Sequence, residues 1–324
     1  MTEYQGLRCL VTGGAGFIGS NLTRRLIGSG AEVTVLDDLS TGNRQHLQDL
    51  LDLQKAAPLR FVEADLRSTP LLGELVAASD VVFHLAAQVG NVKSIAETEA
   101  DAATNVMGTV RLLRACRDAA LRRVVYSSSS ATFGEAATLP IAEDHPQRPE
   151  SFYALSKWTA ERYAVLAHEL WRVPTVCLRY FNVFGLPMED SEYTGVISIF
   201  FRRLLAGEPL TVYGNGDALR DYVFVDDVVA ANLLAGLHGA PGRVYNIGSG
   251  KGTTVVELAD AMREVTGRDS ATQFAPARAG EVRRSLADIS RARAELGYEP
   301  RWDLRAGLRA MWARVGVMNR ASAS

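Results

Sequence analysis

The amino-acid sequence predicts an α/β protein built on a doubly wound parallel sheet, with a smaller C-terminal α/β domain. From Arg8 to Arg179, short apolar strands alternate with helical patterns, an order that is typical of a parallel sheet covered by helices on both faces. The strands are apolar along their whole length, as expected for a sheet buried on both sides. A glycine-rich loop joins the first strand to the first helix. Together these features predict a Rossmann-like architecture.

The predicted elements of the main sheet follow one another in chain order. The strands are Arg8–Thr12, Glu32–Leu36, Leu59–Ala64, Val81–Leu85, Arg123–Ser127 and Thr175–Arg179. Helices are predicted near Phe17–Gly28, Leu71–Ala77, Asp101–Ala119 and Phe152–Trp171. Short β-branched or apolar runs favour strands, and apolar residues at helical spacing favour the helices between them.

Beyond Asn182 the alternation loosens, and the chain carries fewer strand patterns. The predicted elements there are a helix at Val196–Gly207, strands at Tyr222–Val225 and Val244–Ile247, and mostly amphipathic helix over Thr253–Val315. We expect both strands to rejoin the main sheet. The predicted domains are therefore residues 1–181, joined by residues 222–248, and residues 182–324.

The composition is that of an ordinary soluble globular protein, with 47% apolar and 22% charged residues. A net charge of -2 gives no reason to expect nucleic acid or an anionic membrane as partner. No apolar run approaches the roughly 20 residues that span a bilayer, and no secretory signal is visible. Cys9, Cys116 and Cys177 lie far apart in apolar segments, so we expect buried thiols in a reducing cytoplasm, with no disulfide framework and no metal site.

The segment Thr12–Gly19 has the spacing of a dinucleotide-binding loop, and it lies between a strand and a helix as such a loop must. Gly13, Gly16 and Gly19 allow a tight turn, a close approach of the backbone to a pyrophosphate, and packing of the helix on the strand. Asp37 follows eighteen residues after Gly19, at the end of the second strand. A carboxylate there accepts hydrogen bonds from an adenosine ribose and repels a 2′-phosphate, which favours NAD over NADP. The alternative is a glycine turn followed by a solvated aspartate.

Polar and small residues also follow the third and fourth predicted strands. Asp65 comes after the third strand, and His84-Leu85-Ala86-Ala87 comes at the end of the fourth. These are the carboxyl ends of parallel strands, where an open α/β sheet binds its ligand. We interpret His84 as a packed core histidine.

Tyr153 and Lys157 stand four residues apart, which places them on one face of a helix. A buried ammonium beside a phenol favours the phenolate, so we expect Tyr153 to exchange a proton near neutral pH, well below its usual pKa of about 10. The serines Ser127–Ser130 follow the fifth strand, and their hydroxyls can hydrogen-bond a substrate oxygen, although a serine cluster is more often a turn. A redox cofactor and an activated tyrosine on one chain indicate hydride chemistry at a carbinol carbon.

At this point the chain resembles the extended short-chain dehydrogenase/reductase family, in its nucleotide-sugar epimerase and dehydratase branch. The matching segments run in the expected order over nearly the whole chain. They are Thr12–Gly19, Asn105 with Gly108-Thr109, Ser127–Gly134, Tyr153 with Lys157, Arg179–Gly185, Arg220–Tyr222 with Asp226-Asp227, and Asn246–Gly250.

The resemblance implies roles for individual residues. It implies Ser129, Tyr153 and Lys157 as catalytic residues, with Tyr153 as the base and Lys157 on the nicotinamide ribose. The implied NAD-binding residues are Gly13, Gly16, Phe17, Ile18, Gly19, Asp37, Asp38, Asp65, Leu66, Leu85, Ala86, Ala87, Asn105, Ser127, Tyr153, Lys157 and Tyr180. The implied substrate-binding residues are Ser129, Asn182, Arg220, Arg278 and Ser285, with the two arginines on the substrate pyrophosphate.

The branch of the family is indicated by residues that are missing. Dehydratases carry an Asp-Glu pair after the hydroxyl residue, and decarboxylases a glutamate, whereas this chain has Ser130–Phe133. The segment Leu186–Asp190 lacks the basic residues that would meet a sugar carboxylate. The resemblance therefore implies C4 epimerisation of a UDP-hexose through a 4-keto intermediate, and the small Ser285 would admit N-acetyl substrates. A dehydratase, a keto-sugar reductase or a non-catalytic dinucleotide sensor remain the alternatives.

The resemblance also implies a homodimer. In the family, the helices that match Asp101–Ala119 and Phe152–Trp171 pair with their copies across a two-fold axis. Both carry apolar residues beyond one buried face, namely Leu112, Leu113, Tyr163 and Leu166, although these residues could all belong to the core.

Overall fold

The computed structural model describes residues 3–52, 58–187, 195–277 and 282–321. Its strands, in chain order, are β1 (Arg8–Thr12), β2 (Glu32–Asp37), β3 (Leu59–Glu63), β4 (Val81–His84), β5 (Arg123–Ser129), β6 (Thr175–Tyr180), β7 (Asn182–Phe184), β8 (Leu210–Tyr213), β9 (Leu219–Phe224), β10 (Val244–Ile247), β11 (Gly252–Thr254), β12 (Thr272–Ala275) and β13 (Arg284–Ser285). Its α-helices are α1 (Phe17–Gly28), α2 (Gln48–Asp52), α3 (Leu72–Ala77), α4 (Asn91–Ala96), α5 (Thr98–Asp101), α6 (Thr109–Cys116), α7 (Phe152–Trp171), α8 (Val196–Ala206), α9 (Val225–His238), α10 (Val255–Thr266), α11 (Ser290–Leu296) and α12 (Leu304–Ala321).

The main sheet has seven parallel strands in the order β10-β6-β5-β4-β1-β2-β3. The strand order reverses between β1 and β4, which is the topological switch point of a doubly wound sheet. Successive side chains of a strand point to opposite faces, so Leu10 of β1 packs in one apolar core and Val11 in the other. Burial on both faces explains why the strands are continuously apolar, and the predicted Rossmann-like fold is confirmed.

Most strands beyond β6 form a second, smaller layer of structure. Strands β7, β11 and β13 each pair with β9, and β8 pairs with β12. The prediction that Val244–Ile247 rejoins the main sheet is confirmed, because β10 pairs with β6.

The prediction that Tyr222–Val225 rejoins the main sheet is wrong. Tyr222 lies in β9 and pairs with Asn182 of β7, and α9 starts directly after this strand, at Val225. The buried carboxylate of Asp221 explains the placement of β9. It accepts hydrogen bonds from the backbone N–H groups of Ser249, Gly250 and Ala287, at 2.7, 3.0 and 3.2 Å. These bonds hold β9 in the smaller layer.

The helix predicted at Asp101–Ala119 is longer at its start and irregular in its middle. Helical structure runs from Thr98 to Cys116, and Ala102–Gly108 has π-helical geometry. Short π-helical segments are frequent at functional sites. Here the segment carries Asn105, which the sequence assigns to the cofactor site.

The predictions for His84 and for the cysteines agree with the structure. His84 is fully buried, and its two ring nitrogens lie 2.7 and 2.9 Å from the hydroxyls of Thr12 and Thr109. Burial lowers its pKa to about 3. Cys9, Cys116 and Cys177 are free and buried. Among the described helices, none combines the length and the apolar character needed to cross a bilayer.

Candidate active site

A cavity of about 940 Å³ extends along the carboxyl ends of the main-sheet strands and continues toward β8 and β9. The glycine loop and the residues after β2 and β3 line one end. Tyr153 and the serines at the end of β5 line its middle, and residues of the smaller layer line the other end. The cavity therefore lies where open α/β sheets bind their ligands and joins both layers of the protein.

The glycine loop is shaped for close contacts. Gly13 has a φ of +71°, and a Cβ at this residue would lie 2.6 Å from the backbone nitrogen of Ala86. A Cβ at Gly19 would lie 2.1 Å from the carbonyl oxygen of Gly13. A Cβ at Gly16 would contact only the carbonyl oxygen of Gly13, at 3.3 Å. Gly16 lines the cavity, and its lack of a side chain leaves room there for a ligand. Helix α1 starts directly after Gly16, and its first N–H groups suit a pyrophosphate.

Asp37 lines the cavity and also fastens the glycine loop. Its carboxylate oxygens accept hydrogen bonds from the backbone N–H groups of Ala15 and Leu39, both at 2.9 Å. Burial raises the pKa of Asp37, and these two hydrogen bonds oppose the rise. The position after β2 identifies Asp37 from sequence, but its bond to Ala15 depends on how the loop folds.

Asp65 is held by a neighbour that sequence reasoning missed. The guanidinium of Arg67 contacts both carboxylate oxygens of Asp65, at 2.8 to 3.0 Å, and it lowers the pKa of Asp65. Both residues line the cavity at the same end as Asp37. The available signal is the spacing in Asp65-Leu66-Arg67, which brings the two side chains together across a tight turn.

The cavity brings together every residue that the sequence assigned to the cofactor, with the exception of Asn105. Asn105 is buried behind the cavity wall. Its amide donates to the carbonyl oxygen of Gln88 and to the hydroxyl of Ser156, both at 3.0 Å, and its oxygen accepts from the N–H of Gln88 at 2.9 Å. Asn105 therefore positions the segment after β4 and helix α7, and it reaches the cavity only through these neighbours.

The three predicted catalytic residues all line the middle of the cavity. Ser129 ends β5, and Tyr153 lies in the first turn of α7, which Ser151 caps by accepting a hydrogen bond from the N–H of Ala154 at 3.1 Å. The hydroxyl of Ser129 faces that of Tyr153 closely enough to lower the pKa of Tyr153. The fold therefore joins the end of a strand to the start of a helix that is more than twenty residues away in the chain.

The expectation that the neighbouring ammonium of Lys157 brings the pKa of Tyr153 toward neutrality is wrong for the protein's own groups. Burial raises the pKa of Tyr153 to about 12, and the hydrogen bond from Ser129 opposes this rise. Asp101 raises it further through its negative charge. Desolvation of the phenolate outweighs the other effects in the protein itself.

Lys157 is a buried ammonium in an apolar setting. Burial lowers its pKa to about 8, and the negative charges of Asp101 and Glu161 oppose this fall. Its Nζ atom lies 4.6 Å from the centre of the Tyr126 ring, within the range of a cation–π interaction.

A buried ion pair lies beside the predicted catalytic residues. The carboxylate of Glu161 accepts hydrogen bonds from Arg179, at 2.7 and 2.9 Å, and from the hydroxyl of Ser128, at 2.6 Å. Glu161 is one helical turn beyond Lys157, while Ser128 precedes Ser129 on β5. The pair ties α7 to β5 and β6. Sequence reasoning missed it, although the i,i+4 spacing from Lys157 was a signal.

The other end of the cavity contains part of the predicted substrate set. Asn182 and Arg220 line it. Ser285 is buried in β13 beside Arg220 and is not among the described residues that line the cavity. Arg278 lies outside the described residues. Residues of this end that sequence reasoning missed are Arg203, Thr211, Tyr213, Ala218 and Tyr222.

Comparisons with known proteins agree with this geometry. A profile of the family described as NAD dependent epimerase/dehydratase matches residues 9–248. A UDP-glucose 4-epimerase of Mycolicibacterium smegmatis is 40% identical over 304 residues, covering 93% of this chain and 96% of that protein. The structure of a UDP-N-acetylglucosamine 4-epimerase from Methanobrevibacter ruminantium has a TM-score of 0.91 at 32% identity, covering 96% of this chain and 99% of the other. A UDP-glucose 4-epimerase from Thermotoga maritima, solved with UDP-glucose, has a TM-score of 0.89 at 35% identity and covers 96% and 100%.

The doubly wound sheet and the glycine-loop cavity define a dinucleotide-dependent enzyme. The chain belongs to the NAD dependent epimerase/dehydratase family, and its cofactor is NAD. The residues present fit this group, because Gly16 leaves room beside the N-terminus of α1 and Asp37 carries a carboxylate at the adenosine end. Within the described part of the chain, no three His, Cys, Asp or Glu side chains are grouped to hold a metal ion.

Proposed function

We propose that this protein is an NAD-dependent epimerase that inverts C4 of a UDP-hexose through a transient 4-keto intermediate. The observation that carries the proposal is that Ser129, Tyr153 and Lys157 line the same cavity as the glycine loop, with the Ser129 hydroxyl facing that of Tyr153. The UDP-sugar 4-epimerases at 32 to 40% identity support the same reaction. UDP-glucose and UDP-galactose are the proposed pair, with the N-acetyl forms as further substrates.

In this proposal Tyr153 exchanges the proton of the sugar 4-hydroxyl, and Ser129 orients that hydroxyl. NAD held by the glycine loop would supply the hydride acceptor and donor for C4, and its positive charge would favour the phenolate of Tyr153. Lys157 binds the nicotinamide ribose with its ammonium. Tyr180 pairs in register with Ser129, and both Tyr180 and the following Phe181 line the cavity. Their rings are proposed to exclude water from the reacting carbon.

The second end of the cavity is proposed to hold the nucleotide. Arg220 is suited to the substrate pyrophosphate because a guanidinium binds phosphate oxygens in pairs, and we propose the same role for Arg278. Asn182 is proposed to contact the diphosphate. Residues 1–181 would then bind the dinucleotide and residues 182–324 the nucleotide sugar, with residues 222–248 shared between the two layers.

A dehydratase is the alternative within the family, and the carboxylates argue against it. Eliminating water needs an acid and a base beside the sugar, but Ser129 is followed by a turn over Ser130–Phe133 that contains neither Asp nor Glu. The described carboxylates on the cavity wall lie elsewhere. Asp37 ends β2, Asp38 follows it, Asp65 follows β3, and Glu97 accepts a hydrogen bond from Gln88 at 3.2 Å. With Ser129 and Tyr153 alone, the available chemistry is reversible oxidation at one carbon.

Product analysis tests the reaction. Purified protein is incubated with UDP-glucose, UDP-galactose and UDP-N-acetylglucosamine, and separately with dTDP-glucose, without added cofactor. We expect a product that separates by chromatography from the UDP-hexose supplied and has the same mass, because epimerisation changes no atoms. We also expect NAD to be extracted from the purified protein and not to be consumed, since every hydride that is taken is returned.

Two results would contradict the proposal. A product lighter by one water would identify a dehydratase. A steady demand for added NADH, or extraction of NADP in place of NAD, would favour a reductase. Heat-denatured protein serves as the control for spontaneous chemistry.

We further propose that the protein is a homodimer in the cytoplasm. The three buried free thiols support a reducing compartment. An exposed apolar patch on α4, the π-helical segment and α7 supports the dimer; it consists of Val92, Ile95, Met107, Phe152, Leu155, Tyr163, Leu166 and Leu170. Of the four residues named from sequence, Tyr163 and Leu166 belong to this patch, whereas Leu112 and Leu113 are core residues.

Charged substitutions in the apolar patch test the dimer. We expect the double variant Tyr163→Glu/Leu166→Glu to be monomeric by light scattering at micromolar concentration, because a two-fold contact would bring four carboxylates together. Phe274→Glu is the matched control, since Phe274 is an exposed aromatic residue on β12, outside the patch. A monomeric wild-type protein would contradict the proposed dimer. A double variant that is still dimeric would show that the dimer forms through another surface.

A further inference from the structure

Lys157 is a buried ammonium without a directly contacting carboxylate among the described residues. The charged and titratable groups around it are Asp101, Glu161, Cys177 and His84, which lie on four different elements. Lys157 forms no ion pair with any described carboxylate. Burial disfavours its charged form, and the negative charges of Asp101 and Glu161 oppose this effect without contacting the ammonium.

The two nearby carboxylates are engaged elsewhere. Asp101 accepts a hydrogen bond from the amide of Asn105 at 3.0 Å. Glu161 accepts three, two of them from Arg179 and one from Ser128. The charges of Asp101 and Glu161 therefore act on Lys157 from a distance. Hydrogen bonds to other residues fix the positions of the two carboxylates.

The closest described aromatic partner of the ammonium is Tyr126. The Nζ atom of Lys157 lies 4.6 Å from the centre of this ring. Tyr126 is fully buried in β5, three residues before Ser129, and its hydroxyl is 3.4 Å from the backbone oxygen of Lys157. The ring of His84 packs against the Tyr126 ring with centroids 5.7 Å apart. Tyr126 is therefore a rigid surface beneath the lysine.

We propose that Tyr126 is a positioning residue whose ring face holds Lys157 in its charged form at the cofactor site. The face of an aromatic ring is negative and attracts a cation, more strongly when both are out of water. Because β5 carries both Tyr126 and Ser129, the same strand places the ammonium and the substrate-binding hydroxyl. The importance of Lys157 for turnover rests on the proposed function, but its contact with Tyr126 does not.

Removing the ring should lower the pKa of Lys157. A desolvated cation–π contact corresponds to roughly one pKa unit of preference for the charged form. Burial lowers the pKa of Lys157 to about 8, and the ammonium loses its charge as the pH rises. Without the ring, this loss should occur about one pH unit below its midpoint in wild type.

The lysine content of this chain allows a direct measurement. The sequence contains only Lys55, Lys93, Lys157 and Lys251, so protein labelled with lysine ¹³C at the ε carbon gives four side-chain NMR signals. Lys157→Met identifies the signal of Lys157. Its pKa is then read from a pH titration of the intact protein, with no dependence on turnover.

Three variants at residue 126 separate the ring from the hydroxyl. Tyr126→Phe keeps the ring and should leave the pKa of Lys157 within about 0.3 unit of wild type. Tyr126→Leu removes the ring and should lower it by about one unit. Replacing Tyr126 with 3,4,5-trifluorophenylalanine keeps the ring size but cancels its negative face, and should lower the pKa nearly as far. The fluorinated variant decides the question if Tyr126→Leu does not fold.

The affinity for NAD adds a second readout. We expect the dissociation constant of NAD at pH 8 to rise several-fold in the fluorinated variant and to remain unchanged in Tyr126→Phe. The proposal is overturned if the fluorinated variant titrates like wild type, or if wild-type Lys157 titrates with the three other lysines. Because neither measurement uses a sugar, a failure here is distinct from a failure of the epimerase assignment.

Discussion

Tyr153→Phe is expected to lower the turnover of UDP-hexose by at least about 10²–10⁴-fold, the usual contribution of a general acid–base group. The substitution removes only the hydroxyl that exchanges the proton of the sugar. The ring still packs in the first turn of α7, so folding and NAD content should be preserved. Initial rates under substrate saturation, together with the NAD extracted from each protein, provide the measurement.

Tyr163→Phe is the matched control for this prediction. It is the same chemical change on the same helix, but the side chain of Tyr163 is exposed, and it does not line the cavity. Its turnover should equal that of wild type. Near-normal turnover of Tyr153→Phe would show that another group exchanges the proton, and the proposed mechanism would be wrong.

The second large effect is expected from the buried ion pair. Glu161→Gln should lower the free energy of unfolding by about 3–5 kcal/mol, because it leaves the guanidinium of Arg179 buried without a counter-charge. Both side chains are almost fully buried, with exposed fractions of 1% for Glu161 and 4% for Arg179. Urea unfolding monitored by circular dichroism measures the change.

An exposed ion pair provides the control for Glu161→Gln. Arg305 and Glu264 lie 2.9 Å apart with more than half of each side chain exposed, so Glu264→Gln should cost about 0–1 kcal/mol. The double variant Glu161→Leu/Arg179→Leu should recover much of the lost stability, since it removes both charges together. Equal effects of Glu161→Gln and Glu264→Gln would mean that the buried pair is not electrostatically important.

The elements of the main sheet were predictable because their causes are local. A strand buried on both faces must be apolar along its length, and a loop that contacts a pyrophosphate must be rich in glycine. The bounds of β1, α1 and α7 agree with the sequence-based prediction to the residue. The same reasoning placed Tyr153 and Lys157 on one helix face, since i,i+4 spacing needs no tertiary information.

The interactions between elements were not predictable in this way. Whether Tyr222 lies in the main sheet or the smaller layer depends on Asp221 and on backbone N–H groups from residues 249–287. The same holds for the exposed apolar residues, because Leu113 and Leu166 look alike in sequence and only packing makes one core and the other surface.

By itself, the sequence determined the Rossmann-like fold and the glycine loop, which follow from residue type and spacing. It also predicted the catalytic set, Tyr153 and Lys157 from their spacing and Ser129 from the family resemblance. Only the tertiary structure decided the electrostatics of that set. Burial raises the pKa of Tyr153 to about 12 and lowers that of Lys157 to about 8. For Tyr153 this direction is opposite to the one expected from an adjacent ammonium, which would lower the pKa of the phenol. The reason is that desolvation depends on all the atoms packed around a group. Partners such as Tyr126 and Glu161 become neighbours of the site only through folding, and no local sequence pattern shows how close they come.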